Sequence, residues 1–404
     1  MSGRVAVIGL SAQPLDSAAL EALARARLVL GAPRHLETVA HLLPPVARSA
    51  PLTADLDAAL GAVAAEPGPV AVLASGDPGF FGIVRALAAR FGPAALQVLP
   101  AVSSVAQAFA RVGLPWDDAL VVSAHGRDPA YAVNACRAHP KVAVLTMPDF
   151  GPAELARALP PGRRLVVAER LGDTDERVTD ATAEDVAAAR WQDPNVVLSV
   201  DPAAAVADKG RSWPPRRTPT RWGLGEDAFE HRDGMITKAE VRAVALARLG
   251  PGTGDLVWDV GAGSGSVGVE AARLGAAVVA VDADPDQCAR VQVNAARHQV
   301  HVDTVCATAP QALESLADPD AVFVGGGGHL VTAIVRVAAD RARRAVVVAL
   351  ATIERVGPVR RAMSDAGLVA EATLVQAARV APLGAGHRLE AGNPVFLVDG
   401  QVRR

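Results

Sequence analysis

The chain has 404 residues, half of them apolar and only 3% aromatic, so its cores must be built largely from alanine, valine and leucine. This length suffices for two or three domains, and the net charge of −3 argues against a general nucleic-acid binder, which would carry a strong positive field. The cysteines Cys136, Cys288 and Cys306 never form C-x-x-C, which predicts neither a disulfide framework nor a metal site. The first apolar run is too short for a signal peptide and no run approaches a membrane span, so we expect a cytoplasmic protein with no membrane partner.

Strand-like and helix-like runs alternate over residues 1–203, the first predicted domain. The strand candidates are "RVAVIGL", "VAVLASG", "ALVVSAHG", "VAVLTM", "RLVVAERLG" and "NVVLSV". Alanine-rich runs such as "LDSAALEALARARLVL", "FFGIVRALAARFG" and "GPAELARALP" are typical of helices between them. The alternation predicts a largely parallel sheet with helices on its faces.

Residues 204–228 break this alternation, because "DKGRSWPPRRTPTRWGLG" is rich in proline, arginine and glycine and has no periodicity. We interpret the segment as a linker between domains. A second α/β series occupies residues 229–404. It opens with the helical run "TKAEVRAVALARLG", in which Thr237 is a candidate N-cap and Glu240 has capping-box spacing. Its strand candidates, separated by helical runs, predict a complete doubly wound domain: "DLVWDV", "AAVVAVDAD", "VDTVCA", "DAVFVGGG", "RAVVVAL" and "NPVFLVDG".

A glycine cluster, "DVGAGSGSVGVEAA", follows the first strand of the second series. Its Gly263-x-Gly265-x-x-Gly268 spacing matches the dinucleotide fingerprint, and Asp282 follows at the expected distance. That frame places Asp259 inside a buried strand, where an unpaired charge is costly. A nicotinamide or flavin site and a ligand-free glycine turn remain alternatives.

A second frame ends the strand at the "DV" dipeptide and gives the pattern Asp259-x-Gly261-x-Gly263-x-Gly265. Asp259 then sits at the carboxyl end of the strand, where open α/β sheets bind ligands, and the buried charge is removed. Gly268 becomes a packing residue in the following helix. We prefer this frame because it places Asp259 where a carboxylate could contact a ligand.

The second frame resembles the first motif of Rossmann-like S-adenosylmethionine methyltransferases. The resemblance implies that the loop packs on the adenosyl and methionine parts of the cofactor, and that Asp259 offers a carboxylate to its charged tail. The loop residues are Gly261, Ala262, Gly263, Ser264 and Gly265. Within "VAVDADP", Asp282 ends the second strand, and in the family such an acid accepts hydrogen bonds from the ribose hydroxyls.

Four further segments of the second series, "MITKAEVRA", "ATAPQAL", "VFVGGGG" and "NPVFLV", resemble the decarboxylating methyltransferase domain of cobalamin biosynthesis over about residues 230–400. The resemblance places Thr237 near the cofactor and Ala309 on its adenine side. The chain departs from the family at 307–308, where it has Ala-Thr in place of Gly-Asp.

The roles of three charged residues and one histidine in this series remain open. Lys238, Glu240 and Arg242 form either a solvated helix face or a substrate contact. By residue type, His329 of "GGGGHL" is a candidate proton carrier, within a loop whose glycines permit close approach to a large flat ligand.

An ordered set of motifs in the first series, "LASGDPGFFGI", "PAVSSVAQAFARVGLPWDD", "SAHGR" and "ERLGDTDE", resembles the tetrapyrrole methylases over about residues 3–200. The resemblance implies a two-lobed α/β domain with S-adenosylmethionine held between the lobes. The implied cofactor contacts are Gly76, Asp77, Phe80, Ser103, Ser104 and Met147, with Gly9 as the single glycine of the first loop. His125 and Arg127 either face the substrate or cap a strand end.

Two unrelated methyltransferase halves in one chain resemble the precorrin-6Y C5,15-methyltransferase (decarboxylating) family. The resemblance implies methylation of carbon 5 by the first half, methylation of carbon 15 with decarboxylation by the second, and conversion of precorrin-6B to precorrin-8. It further implies two S-adenosyl-L-methionine per chain, a tetrapyrrole substrate and a homo-oligomer such as a tetramer. Two alternatives stay open: a first half that only binds tetrapyrrole, and a nicotinamide-dependent precorrin oxidoreductase. No residue identifies itself as the general base.

Overall fold

The structure is a computed structural model that describes residues 5–52, 55–126, 128–206, 221–232 and 234–402. The chain divides into two compact units. The first comprises residues 1–127 and 141–210, and the second comprises residues 128–140 and 211–404. Within the described residues, no helix combines the length and the apolar character that crossing a bilayer requires.

The first unit alternates strands and helices, as predicted. Its strands are β1 (Val5–Leu10), β2 (Leu28–Gly31), β3 (Arg48–Pro51), β4 (Val70–Ser75), β5 (Leu96–Leu99), β6 (Leu120–Ser123), β7 (Lys141–Leu145), β8 (Arg164–Glu169), β9 (Arg177–Thr182) and β10 (Asn195–Val200). The helices up to residue 188 are α1 (Ser17–Arg25), α2 (Pro33–Val39), α3 (Leu56–Ala65), α4 (Val84–Phe91), α5 (Ser104–Arg111), α6 (Pro129–Ala138, grouped with the second unit), α7 (Pro152–Ala158) and α8 (Ala183–Ala188).

The described strands of the first unit form two sheets. The first has the order β3-β2-β4-β1-β5 and is parallel throughout, which confirms the expectation for this part. The second has the order β6-β7-β10-β8-β9, and only its β6–β7 pair is parallel. A largely parallel arrangement is therefore wrong for the second sheet. The physical reason is the short connection between β8 and β9, residues 170–176, which has no room for a crossover helix.

Strand β2 lies where the sequence predicted the end of a helix. Helix α1 ends at Arg25, and Ala26 already has extended backbone angles. The amide of Arg27 donates to Pro69 O, and β2 then pairs with β3 and β4. Pairing on both sides outweighs the helical propensity of the "LVL" run.

The second unit is a doubly wound domain, as predicted. Its helices are α9 (Ala239–Leu249), α10 (Ser266–Arg273), α11 (Pro285–Arg297), α12 (Val331–Arg341) and α13 (Val356–Asp365). Its strands are β11 (Leu256–Val260), β12 (Ala277–Asp282), β13 (Asp303–Cys306), β14 (Ala321–Val324), β15 (Ala345–Leu350), β16 (Leu368–Val375), β17 (Ala378–Leu383), β18 (Gly386–Ala391) and β19 (Val395–Val402).

The main described sheet of this unit has the order β13-β12-β11-β14-β15-β19-β16. The strands from one edge of this sheet to β15 are mutually parallel, namely β13, β12, β11, β14 and β15. Strand β19 runs antiparallel to both of its neighbours, β15 and β16. The prediction of a helical run before each strand is wrong before β19, because β16 and the β17–β18 hairpin follow α13. Helices α9, α10 and α11 pack on one face of the sheet and α12 and α13 on the other. The strand order reverses between β11 and β14, a switch point at which such sheets bind ligands.

Candidate functional site

The glycine loop of the second unit begins directly after β11, which ends at Val260 as the preferred frame predicts. Gly261 has a φ of +68°, a region that glycine occupies without strain. A Cβ on Gly261 would lie only 2.8 Å from the amide nitrogen of Gly326. The loops after β11 and β14 therefore pack backbone to backbone at the switch point.

The carboxyl group of Asp259 lies inside the second unit rather than at its surface. Asp259 is only 1% exposed, its Oδ2 accepts the Gly268 N–H over 2.8 Å, and Oδ1 has no partner among the described residues. Burial, with a contribution from the nearby Asp282 charge, raises the pKa of Asp259 to about 7. The preferred frame was expected to remove a buried charge, and that expectation is wrong. The penultimate residue of a central parallel strand is covered by the helix that follows it.

Gly268 is a packing residue in α10, as predicted. A Cβ at this position would lie 2.9 Å from Oδ2 of Asp259 and 3.0 Å from Cγ1 of Val278. The absence of a side chain lets α10 sit close enough to β11 for the amide to reach the carboxyl group.

Asp282 is the last residue of β12 and lies beside the glycine loop, as predicted. Its Oδ2 accepts the Gly263 N–H over 2.8 Å and its Oδ1 accepts the Asp284 N–H over 3.0 Å. The carboxylate is half-buried, and the space beside Gly263 is open within 4 Å. A carboxylate oxygen can accept more than one hydrogen bond, so both oxygens keep acceptor capacity towards that space.

Asn294 on α11 holds the glycine loop in place, a role that no sequence motif predicts. Its buried amide donates to Ser264 O over 2.9 Å and to Glu230 O over 2.9 Å, and its Oδ1 accepts the Glu230 N–H over 2.7 Å. Ser264 is itself buried, and Ala262 N–H donates to Val281 O. A lone asparagine in a helix carries no sequence signal for such a role.

The N-cap prediction for Thr237 is wrong. Helix α9 begins at Ala239 with Lys238 at the cap position, and no side chain of the cap residue closes the turn. Oε1 of Glu226 instead accepts the Ala239 N–H over 3.2 Å. Lys238 is exposed, and Glu240 approaches Arg379 at 3.5 Å.

Arg242 is neither a solvated residue nor a substrate contact, so both interpretations of it are wrong. It is fully buried and pairs with the fully buried Glu270 at 2.7 Å. The guanidinium also donates to the carbonyl oxygens of Thr237 and Leu224. Glu270 accepts the N–H groups of Gly223 (2.6 Å) and Leu224 (3.0 Å), so this part of the predicted linker packs onto the second unit.

Two further candidates flank the glycine loop region. Ala309 is half-buried and packs against the core cluster that includes Val322 and Val324 of β14. His329 is exposed in the turn between β14 and α12.

Three loops of the first unit meet at the carboxyl edge of its parallel sheet. Gly76, directly after β4, has a φ of +59°, and a Cβ there would lie 3.0 Å from Cα of Ser103. A Cβ on Gly9 would lie 2.0 Å from Gly76 O and 2.6 Å from Ala101 N. Ser103 caps α5, accepting the Ala106 N–H, and Ser104 is the first residue of that helix. The structure thus brings Gly9, Gly76, Ser103 and Ser104 together.

The remaining first-unit candidates lie around this edge. Oδ1 of Asp77 accepts the Gly79 N–H over 2.8 Å, which shapes the turn after Gly76. Phe80 packs against a core cluster of the second sheet, as does Leu145 at the end of β7, and Met147 follows that strand. His125 is exposed in the turn after β6, where its backbone N–H donates to Ser123 Oγ over 3.3 Å. Arg127 lies outside the described residues.

Comparison with known proteins places a separate family on each unit. The profile of the tetrapyrrole (corrin/porphyrin) methylases matches residues 15–187, and that of the precorrin methyltransferase domain matches residues 227–399.

Three relatives illustrate the match. A precorrin-6Y C(5,15)-methyltransferase [decarboxylating] of a Sinorhizobium species is 40% identical over 326 residues, 78% of this chain and 75% of that protein. A cobalt-precorrin-6B C(15)-methyltransferase (decarboxylating) of Pyrobaculum calidifontis is 37% identical over 191 residues, 46% of this chain and 96% of that protein. A cobalt-precorrin-7 C(5)-methyltransferase of Salmonella typhimurium is 37% identical over 169 residues, 41% of this chain and 82% of that protein.

The fold and these matches define a methyltransferase built from a two-lobed tetrapyrrole methylase domain and a Rossmann-like domain. More narrowly, the chain belongs to the precorrin-6Y C(5,15)-methyltransferase (decarboxylating) family of cobalamin biosynthesis.

Proposed function

We propose that the chain is a bifunctional enzyme that converts precorrin-6B to precorrin-8. The first unit methylates carbon 5, and the second methylates carbon 15 and decarboxylates the acetate of ring C. Support comes from two family profiles that match separate segments, 15–187 and 227–399. Relatives named for the carbon 15 reaction alone and for the carbon 5 reaction alone each align with a stretch about as long as one unit.

The second unit fits S-adenosylmethionine, and this is the observation that carries the proposal. Asp282 offers a half-buried carboxylate beside the open space at Gly263, which suits two ribose hydroxyl groups. The buried Oδ1 of Asp259 has no partner among the described residues, and a charged methionine tail would complete its hydrogen bonding. The contact of Gly261 with Gly326 excludes side chains from the cradle.

The first unit fits a second molecule of the same cofactor at the carboxyl edge of its parallel sheet. Gly76 and Gly9 leave no room for side chains there, and α5 begins at Ser104. Asp77 and Phe80 follow immediately in the same loop. We therefore propose two cofactor molecules per chain.

S-adenosylmethionine, when bound, supplies a methyl group that is already electrophilic, so the protein chiefly has to orient the reactants. In the second unit, Asp282 would hold the ribose and the glycine loop would fix the distance to the ring carbon. Decarboxylation leaves an electron pair that the conjugated C=N system of the macrocycle accepts. Because the macrocycle bears many carboxylates, arginine side chains are expected to bind it.

The test is the mass of the product formed from precorrin-6B and S-adenosylmethionine under anaerobic conditions with the full chain. The expected product has gained two methyl groups and lost carbon dioxide. Gain of a single methyl group with loss of carbon dioxide would instead favour a first unit that only binds tetrapyrrole. An unchanged substrate mass would contradict the proposal altogether.

A further inference from the structure

Three side chains that no family resemblance singled out form a cluster at the carboxyl edge of the parallel sheet of the first unit. Arg34 and His35 follow β2 in the first turn of α2, and Ser75 is the last residue of the adjacent strand β4. Arg34 Nη2 donates to Ser75 Oγ over 3.0 Å, and His35 Nε2 lies 2.9 Å from the same oxygen. Ser75 directly precedes Gly76, so the cluster borders the proposed cofactor cradle.

The histidine of this cluster is uncharged at neutral pH. His35 is buried, with 9% of its surface exposed, and burial together with the Arg34 charge lowers its pKa to about 4. A neutral imidazole can accept a hydrogen bond at Nε2, which lies 3.4 Å from Arg34 Nε. The cluster therefore carries the single positive charge of Arg34.

No carboxylate among the described residues forms an ion pair with that charge. Within the described residues, the exposed guanidinium of Arg34 contacts Ser75 and His35 and meets no carboxylate. The nearby acid Asp173 is already paired with Arg170 at 3.1 Å. By contrast, Arg177 in the same unit pairs with Glu169 at 2.5 Å. An arginine held in place by two neutral side chains is preorganised to receive an external anion.

We propose that Arg34 binds a peripheral carboxylate of the tetrapyrrole in the first unit, with His35 and Ser75 as its positioning residues. This inference rests on the proposed function, because it assigns the substrate of that same site. The guanidinium fork matches a carboxylate in a bidentate way, and the neutral histidine helps to hold the fork by accepting from Arg34 Nε. The cluster thereby orients the macrocycle against the cofactor cradle that begins at Gly76.

The first experiment compares Arg34→Gln with Arg90→Gln in the full chain. Arg90 is an exposed arginine in the last turn of α4 and serves as the matched control. We expect Arg34→Gln to raise the half-saturating tetrapyrrole concentration of the carbon 5 methylation by about tenfold or more, because a charge-assisted bond is lost. The carbon 15 methylation, the loss of carbon dioxide and cofactor affinity by calorimetry should match those of Arg90→Gln. Equal half-saturation in the two variants would overturn the proposal.

A binding measurement tests the role of Arg34 independently of whether the chain carries out both methylations. Uroporphyrin, a stable tetrapyrrole polycarboxylate, is titrated by fluorescence into the full chain and both variants. Weaker binding by Arg34→Gln than by Arg90→Gln supports the carboxylate site even if the wild type adds only one methyl group. Equal binding by both variants contradicts it, whatever the product mass shows.

The positioning role is tested through Ser75, which is exposed and therefore tolerant of substitution. Ser75→Ala should raise the KM of the carbon 5 methylation several-fold with kcat little changed, whereas Ser75→Thr, which keeps the hydroxyl group, should restore the wild-type KM. A Ser75→Ala variant with wild-type KM, or a Ser75→Thr variant as impaired as Ser75→Ala, would show that the hydroxyl does not position Arg34.

Discussion

The amide N–H of Gly268 donates to Oδ2 of Asp259 over 2.8 Å, and this is the one hydrogen bond that the buried carboxyl group makes among the described residues. A carboxylate with a single partner is poorly stabilised in a protein interior. For that reason the pKa of Asp259 rises from 3.8 to about 7. The group lies at the end of β11, just before the glycine loop, so its protonation bears on stability and on the proposed cofactor binding.

Asp259→Asn should make the second unit more stable at pH 8 and should flatten its pH dependence. A pKa raised above the unfolded value contributes stability that is fully present below about pH 4 and is lost as the pH rises through about 7. Asparagine keeps an acceptor for Gly268 N–H but never ionises. Calorimetric unfolding at pH 5, 6, 7 and 8 measures the difference, expected to reach a few kcal/mol. A wild-type-like pH slope in the variant would contradict the buried ionisation.

Asp282→Ala should weaken one of the two proposed cofactor sites. It deletes the carboxylate beside the open space at Gly263 and frees two backbone N–H groups, so a loss of about tenfold to a hundredfold in affinity is expected at that site. Isothermal titration with S-adenosylmethionine gives the number of sites. Asp286→Asn, an exposed acid in the first turn of α11, is the control and should bind like the wild type. An unchanged titration of Asp282→Ala would exclude the carboxylate from cofactor binding.

Gly76→Ala should abolish the other proposed cofactor site. Its φ of +59° and the 3.0 Å approach of Ser103 Cα make an added Cβ costly in both backbone and contact energy. Gly113 is a matched control, since it has a φ of +65° but nothing within 4 Å of an added Cβ. Both alanine variants should lose about 1 kcal/mol of stability from the backbone, and only Gly76→Ala should lose a titratable site as well. Loss of that site in Gly113→Ala too would point to a general loosening of the first unit.

Arg242→Met should destabilise the second unit by about 3–5 kcal/mol, because it leaves the buried charge of Glu270 without a partner. Arg242→Met combined with Glu270→Gln should recover part of this loss, since glutamine is uncharged and its one carbonyl oxygen can still accept from the N–H of Gly223 or Leu224. Urea unfolding of the full chain provides the measurement. A double variant less stable than Arg242→Met would argue against charge as the cause.

Short motifs made much of the candidate site in the second unit predictable from the sequence. The glycine after "DV" marked the end of β11 at Val260, and the acid after an apolar run marked the end of β12 at Asp282. Both depend on residues close together in the chain. The same reasoning placed Gly268 in the helix as a packing residue, because the preferred frame left it outside the loop.

The wrong or missed predictions concern residues whose contacts lie far away in the sequence. Arg242 lies in a charged run that is typical of a solvated helix face, and its ion-pair partner Glu270 is 28 positions away. The "LVL" run of β2 continues a helical pattern, and only pairing with β3 and β4 makes it a strand. Asn294 reaches Ser264 and Glu230 across 30 and 64 positions. Single-sequence periodicity carries no information on such contacts.

The antiparallel position of β19 between β15 and β16 has a consequence for synthesis of the chain. Strand β16 pairs with β19 and, within the described residues, with no other strand of the sheet. On the ribosome, β15 and β16 emerge before the strand that joins them exists, so both expose unpaired edges while the segment 376–394 is made. A nascent chain arrested before Val395 would hold two open templates for aggregation, which gives chaperones a defined interval in which to act.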